Sequence, residues 1–152
     1  MKVTESVWYP DERLIVTQIS GQIEEADVEN WQGSLEKALE QIENNGVFKI
    51  FVNLHGFKAV NFDAHKKFRV IIPLTLARYG WRVGYLDMFP EASVTLENVR
   101  GIRCLAAVHV HQDETKIANY QTNYSRPNEQ YYTDPVQGEA WIRNYNIQNN
   151  SL

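Results

Sequence analysis

The sequence has little cysteine and no long apolar run, and both shortages limit where the protein can work. Its one cysteine, Cys104, cannot form an intramolecular disulfide, and the N-terminal residues lack the uninterrupted apolar core of a signal peptide. The longest helical pattern, residues 61–80, is interrupted by charged residues and by Pro73, so it is unsuited to crossing a bilayer. We therefore expect a cytoplasmic protein without a membrane span.

Common catalytic motifs are also missing from the sequence. It has no glycine-rich phosphate loop, no Ser/His/Asp order and no close pair of carboxylates. The formal net charge of −4 argues against extended nucleic-acid binding, which depends on basic groups that meet phosphate. We expect a protein that is not an enzyme and that has no cofactor and no nucleic-acid partner.

What the sequence does contain is an alternation of helix and strand patterns. Residues 47–56 are rich in β-branched and aromatic side chains and predict a buried strand. Helical patterns end just before this strand and begin again after Asn61, an order typical of parallel strands joined by crossover helices. Residues 102–110 predict a second buried strand. Both strands are expected to lie inside the sheet.

Weaker patterns fill the rest of the chain. A Pro-Asp pair predicts that an opening hairpin turns at residues 10–13. Residues 81–87 predict a further strand, and the polar content of residues 128–133 predicts an edge strand. Pro73 lacks a backbone N–H, so it predicts a break near Val70 in the second helical pattern.

Together these patterns predict an α/β fold. With 152 residues, of which 43% are hydrophobic, the chain suits one domain, which we expect over residues 1–145, followed by a frayed tail at residues 146–152. The predicted sheet is mixed and five- or six-stranded, with an N-terminal hairpin and about four helices. The predicted core is Val16, Ile19, Trp31, Leu35, Leu39, Phe51, Leu54, Phe68, Ile72, Leu76, Leu105, Val108 and Trp141.

The order of these elements resembles that of the STAS superfamily, in particular its SpoIIAA-like members of the STAS/SEC14 type. Residues 52–63 are similar to the STAS segment in which a strand ends in Asp-Leu-Ser and the next helix begins at Asp-Ser. Asn53 and Asn61 stand in place of the two aspartates, and Phe62 stands at the serine that switching members phosphorylate. Residues 131–142 resemble the last strand and the Ala-Trp helix of the SpoIIAA-like subgroup.

This resemblance implies a non-catalytic regulatory or protein-interaction module without a phosphoserine switch. Such a module would signal by binding alone, either to a protein partner or as a homo-oligomer. This is our first functional hypothesis.

A basic cluster supports an alternative hypothesis. Lys58, His65, Lys66 and Arg69 lie around the start of the second predicted helix, and cations near a helix N-terminus suit an anion. These residues predict a site for a small anionic ligand or a lipid headgroup. The same composition is also typical of a solvated helix face.

A weaker alternative is a metal-dependent hydrolase. His109 and His111 lie two residues apart at the end of a predicted strand, hence on one face, and Asp113 follows them. This run is similar to the His-x-His-x-Asp-His motif of metallo-β-lactamase-like hydrolases, but Glu114 takes the place of the closing histidine. We expect no metal, because Asp113 also suits the role of capping the next helix.

Overall fold

Six strands form one mixed sheet in the computed structural model, which describes residues 1–89 and 93–147. The strands are β1 (Val3–Tyr9), β2 (Leu14–Ile23), β3 (Val47–Asn53), β4 (Phe57–Ala59), β5 (Arg103–Val110) and β6 (Glu129–Tyr132). Their order is β1-β2-β3-β5-β6, and β4 pairs with the end of β2. β1 and β2 form an antiparallel hairpin, and the other strand pairs are parallel. The predicted mixed sheet with an N-terminal hairpin is confirmed.

Helices connect the parallel strands. They are α1 (Glu25–Glu40), α2 (Phe62–Arg69), α3 (Ile71–Ala77), α4 (Glu114–Tyr124) and α5 (Pro135–Asn144). α2 and α3 are the two halves of one predicted helix, which breaks at Val70, three residues before Pro73, as expected. Within the described part of the chain, no helix has the length and apolar character needed to cross a membrane.

The side chains of β3 alternate between two cores on opposite faces of the sheet. Ile50 and Val52 pack in the larger core with α1, α2 and α3, whereas Phe51 packs in the smaller core with α5. Trp31 fixes α1 to the sheet, because its Nε1 donates a hydrogen bond of 2.7 Å to Thr17 Oγ1 and both residues are fully buried. As predicted, β3 and β5 lie inside the sheet and β6 lies at an edge.

The strand predicted at residues 81–87 is wrong. The chain there forms a turn and a short 3₁₀ helix, Leu86–Met88. Trp81 and Val83 are buried against the larger core without joining the sheet, which explains why their pattern was typical of a strand. Gly84 passes so close to α4 that an added Cβ would lie 2.3 Å from the carbonyl oxygen of Tyr124.

Most of the predicted core is confirmed. Ten of the thirteen predicted residues are buried, but Val16, Leu54 and Trp141 are only half-buried, because they lie at the margins of the two clusters. Ile147, in the predicted tail, is buried in the smaller core, and residues 148–152 lie outside the described residues.

A buried lysine caps the C-terminal end of α5. Lys49 on β3 is 4% exposed, and its Nζ donates hydrogen bonds to the carbonyl oxygens of Ile142, Arg143 and Tyr145 at 2.5, 3.2 and 3.0 Å. A cation is well placed there, since the last carbonyls of a helix carry partial negative charge and have no partners within the helix. Burial lowers the pKa of Lys49, and the charge of Glu12 partly opposes this shift.

We predict that Lys49→Met lowers the free energy of unfolding by about 2 kcal/mol, because three carbonyl oxygens lose the ammonium donor. Urea denaturation measures the loss. Lys37→Met, at an exposed position on α1, is the matched control and should change stability by less than about 0.5 kcal/mol. Equal effects of the two substitutions would contradict the capping role of Lys49.

Two helical glycines should respond to alanine in opposite directions. A Cβ on Gly138 of α5 would lie 2.6 Å from Val110 Cγ2, whereas a Cβ on Gly33 of α1 would meet nothing within 4 Å. Gly138→Ala should therefore destabilise the protein by about 1–3 kcal/mol through overpacking. Gly33→Ala should stabilise it by about 0.5–1 kcal/mol, because alanine favours a helix interior. Thermal unfolding of both variants checks this, and a stabilising Gly138→Ala would mean that α5 packs less closely on the sheet.

Candidate functional site

A cavity of about 50 Å³ lies where the C-terminal ends of β3 and β5 meet α2, α3 and α4. The C-terminal ends of parallel strands are the usual place for a ligand crevice, because the loops that follow the strands diverge there. The described residues that line it are Val52, Leu54, His65, Phe68, Arg69, Ile72, Tyr85, Phe89, His109, Val110, His111, Lys116, Ile117, Tyr120 and Tyr131.

The charged side chains among the described lining residues are all basic. Two side chains of the lining, Arg69 and Lys116, are basic, and three more are imidazoles. Among the described residues that line the cavity there is no aspartate or glutamate. The remaining surface is largely aliphatic and aromatic, so the cavity combines an apolar wall with basic groups.

Helix α2 brings two residues of the predicted basic cluster to the cavity and leaves the others outside. His65 and Arg69 are four residues apart and share a helix face with the core residue Phe68, so they point the same way. Lys66 lies about 100° around the helix and is exposed, and Lys58 on β4 is also exposed. Neither of these two lysines lines the cavity.

Aromatic rings hold the guanidinium of Arg69 at the cavity. Its central carbon lies 5.2 Å from the ring centroid of Phe89 and 5.7 Å from that of Phe62. The planar guanidinium of Arg69 is therefore in contact with two aromatic rings beside the cavity.

Lys116, which sequence reasoning did not single out, is the second cation. It is half-buried on α4, and its Nζ lies 5.6 Å from the ring centroid of Tyr120. Within the described residues, Nζ has neither a hydrogen bond nor an ion pair. Burial lowers the pKa of Lys116, and the charge of Asp113 partly opposes this.

The two histidines of the His-x-His run both line the cavity, but they have separate partners. His111 Nδ1 accepts a hydrogen bond of 3.0 Å from the backbone N–H of Asp113. Asp113 caps α4, as expected, because its Oδ1 accepts from the backbone N–H of Lys116 at 3.0 Å. Burial and the nearby charge of Lys116 lower the pKa of His111 to about 4, so this imidazole is neutral at neutral pH. Within the described residues, no three His, Cys, Asp or Glu side chains are grouped so that they could hold a metal ion.

His109 pairs instead with a fully buried carboxylate. Glu129 of β6 has no solvent exposure, and its Oε2 lies 2.8 Å from His109 Nε2. Its Oε1 accepts from the backbone N–H of Gly84 at 2.9 Å and from Arg126 Nε and Nη2 at 3.1 and 2.5 Å. The predicted edge strand therefore contributes one of the most buried charges in the described structure, which its polar sequence did not indicate.

Tyr131 lines the cavity beside His109. Its ring stacks on His109, with 4.8 Å between the ring centroids, and the residue is 3% exposed. Its hydroxyl is buried and has no hydrogen-bond partner among the described residues. A buried hydroxyl without a partner costs free energy. Burial raises the pKa of Tyr131 well above its usual value, so the hydroxyl remains a donor.

The chain matches no protein-family model, no curated protein and no solved structure.

We predict that Glu129→Gln lowers the free energy of unfolding by about 3 kcal/mol at pH 7. Removing one partner of a buried pair leaves the other uncompensated, and the lower end of the usual range applies because Arg126 is partly in water. Urea denaturation measures the difference. A variant as stable as the parent would contradict the role of the buried pair.

The pair of Glu129 and His109 makes the stability of the fold depend on pH. Burial by itself raises the pKa of Glu129, but the hydrogen bonds and charges of His109 and Arg126 outweigh burial and lower it. The carboxylate therefore stabilises the fold above the unfolded carboxyl pKa of about 4.3, and this stabilisation is lost as pH falls through the folded value. The difference between the parent and Glu129→Gln should shrink below about pH 4, where the carboxylate begins to protonate.

Proposed function

We propose that the protein is a binding domain for a small organic anion, a carboxylate with a short apolar chain, and that the cavity is its site. The observation that carries this proposal is the lining, in which basic side chains and imidazoles meet an apolar wall and the described lining residues include no aspartate or glutamate. An anion gains from the cations, and its chain gains from burial against the apolar wall.

Two polar groups support a carboxylate as the anion. Arg69 presents a planar guanidinium to the cavity, and Lys116 has an ammonium without a hydrogen-bond acceptor among the described residues. A carboxylate has two acceptor oxygens with about four lone-pair sites, so it could accept from both. The volume of about 50 Å³ favours a small group over a large one.

This proposal develops the anion-binding hypothesis and changes its residues. His65 and Arg69 stay in the proposed site, whereas Lys116 takes the place of Lys58 and Lys66. The hypothesis of a STAS-like regulatory module stays a prediction. The anion-binding proposal and the regulatory-module hypothesis are compatible, because a module without a phosphorylatable serine could be regulated by the binding of a ligand.

We predict that butyrate binds to the parent protein and that Lys116→Met weakens binding by about tenfold or more. A hydrogen bond to a charged group contributes roughly 1.5–3 kcal/mol, and about 1.4 kcal/mol corresponds to tenfold in affinity. Isothermal titration calorimetry measures the dissociation constants. Inorganic phosphate is titrated in parallel, and its binding should be weaker because it cannot use the apolar wall.

Lys66→Met is the matched control, because it removes a lysine charge from α2 outside the cavity. It should leave butyrate binding within about twofold, the range of a screened surface charge. Equal weakening by both substitutions would mean that binding follows net charge, and the cavity would not be the site. If phosphate binds more tightly than butyrate, the site prefers a phosphate group and the proposed carboxylate is wrong.

A further inference from the structure

We propose that Lys116 captures 2-oxo acids covalently, as an imine between its ε-amine and the keto carbon. This inference rests on the proposed anion site and names a substrate class for it: a carboxylate that carries a carbonyl on the next carbon. The inference depends on the position of Lys116. Its amine has no hydrogen bond or ion pair among the described residues, and it lies on the wall of a cavity whose other cation, Arg69, suits a carboxylate.

The position of Lys116 meets the first need of an imine-forming lysine, which is an accessible but partly desolvated amine. Its side chain is half-buried and borders the cavity, and its Nζ lies 5.6 Å from the ring centroid of Tyr120. An ion-paired lysine would hold its proton and could not attack. Burial shifts Lys116 towards the neutral amine, in the same direction as in known imine-forming lysines.

The second need is a group that orients the substrate. Arg69 stands on α2, on a different wall of the same cavity from Lys116, and its planar fork matches a carboxylate. With the carboxylate at Arg69, the adjacent keto carbon can face Lys116.

The chemistry balances without an oxidant or reductant. The lone pair of the neutral amine attacks the keto carbon, the nitrogen then loses a proton, and the oxygen gains one to give a neutral carbinolamine. Loss of that hydroxyl with a proton releases one water molecule and leaves the C=N bond. His111 is neutral at neutral pH, and its Nδ1 accepts from Asp113, so it borders the reacting groups as an uncharged imidazole.

The test is reductive trapping of the intact chain with pyruvate. Sodium cyanoborohydride supplies the hydride that converts the imine to a stable secondary amine, and peptide mass spectrometry locates the added group. We expect labelling at Lys116 to be several-fold above that at the exposed residues Lys37 and Lys66, which serve as internal controls. Butyrate should protect Lys116, because it occupies the same cavity and lacks a carbonyl to react.

Lys116→Arg should lose the specific label, because a guanidinium cannot form the imine. Butyrate binding is measured on the parent protein, so the covalent step and the proposed function are tested separately. Labelling spread evenly over the lysines of the parent would overturn the imine, and butyrate binding measured on the same sample then decides whether the anion site survives. If butyrate binds but pyruvate leaves no enriched label, only the covalent step is wrong.

Discussion

The buried carboxylate of Glu129 is the interaction on which the described cavity depends. It joins three parts of the chain that are distant in sequence, namely His109 at the end of β5, Gly84 in the loop after α3, and Arg126 before β6. A carboxylate without solvent exposure is tolerated only if its charge and its lone pairs are met, and here both oxygens have donors. The imidazole of His109 and the ring of Tyr131 are stacked beside this group, so it also fixes one wall of the cavity.

This arrangement separates the charges of the site. The buried carboxylate of Glu129 lies behind His109 and already has His109 and Arg126 as partners. Arg69 and Lys116 therefore face the cavity without an acidic residue among its described lining. A site of this kind favours an incoming negative charge, because the ligand can supply what the lining lacks. The apolar residues around these cations then select against strongly hydrated ions.

The elements that sequence patterns predicted well are those in which the local signal and the tertiary environment agree. β3 and β5 are buried on both faces, so their continuous apolar runs indicated interior strands. Helix starts at Asn61 and Asp113 followed from side chains that accept hydrogen bonds from the first turn. The break at Val70 followed from the missing N–H of Pro73.

What could not be predicted depends on contacts between distant residues. Glu129 is polar, so its sequence suggested an edge, and only the approach of His109, Gly84 and Arg126 explains its burial. Residues 81–87 have the composition of a strand but find their burial outside the sheet. Lys116 gave no motif, yet its spacing to Tyr120, four residues on, placed both on one helix face, which was the available signal.

The most direct test of the anion site compares butyrate with n-butylamine, two ligands of similar size and opposite charge, by isothermal titration calorimetry at pH 7. We predict that butyrate gives a saturable heat and that Lys116→Met weakens its binding by about tenfold or more, whereas n-butylamine gives no saturable heat. Binding of the amine with equal or greater affinity would contradict the central claim, because it would mean that the cavity does not select negative charge.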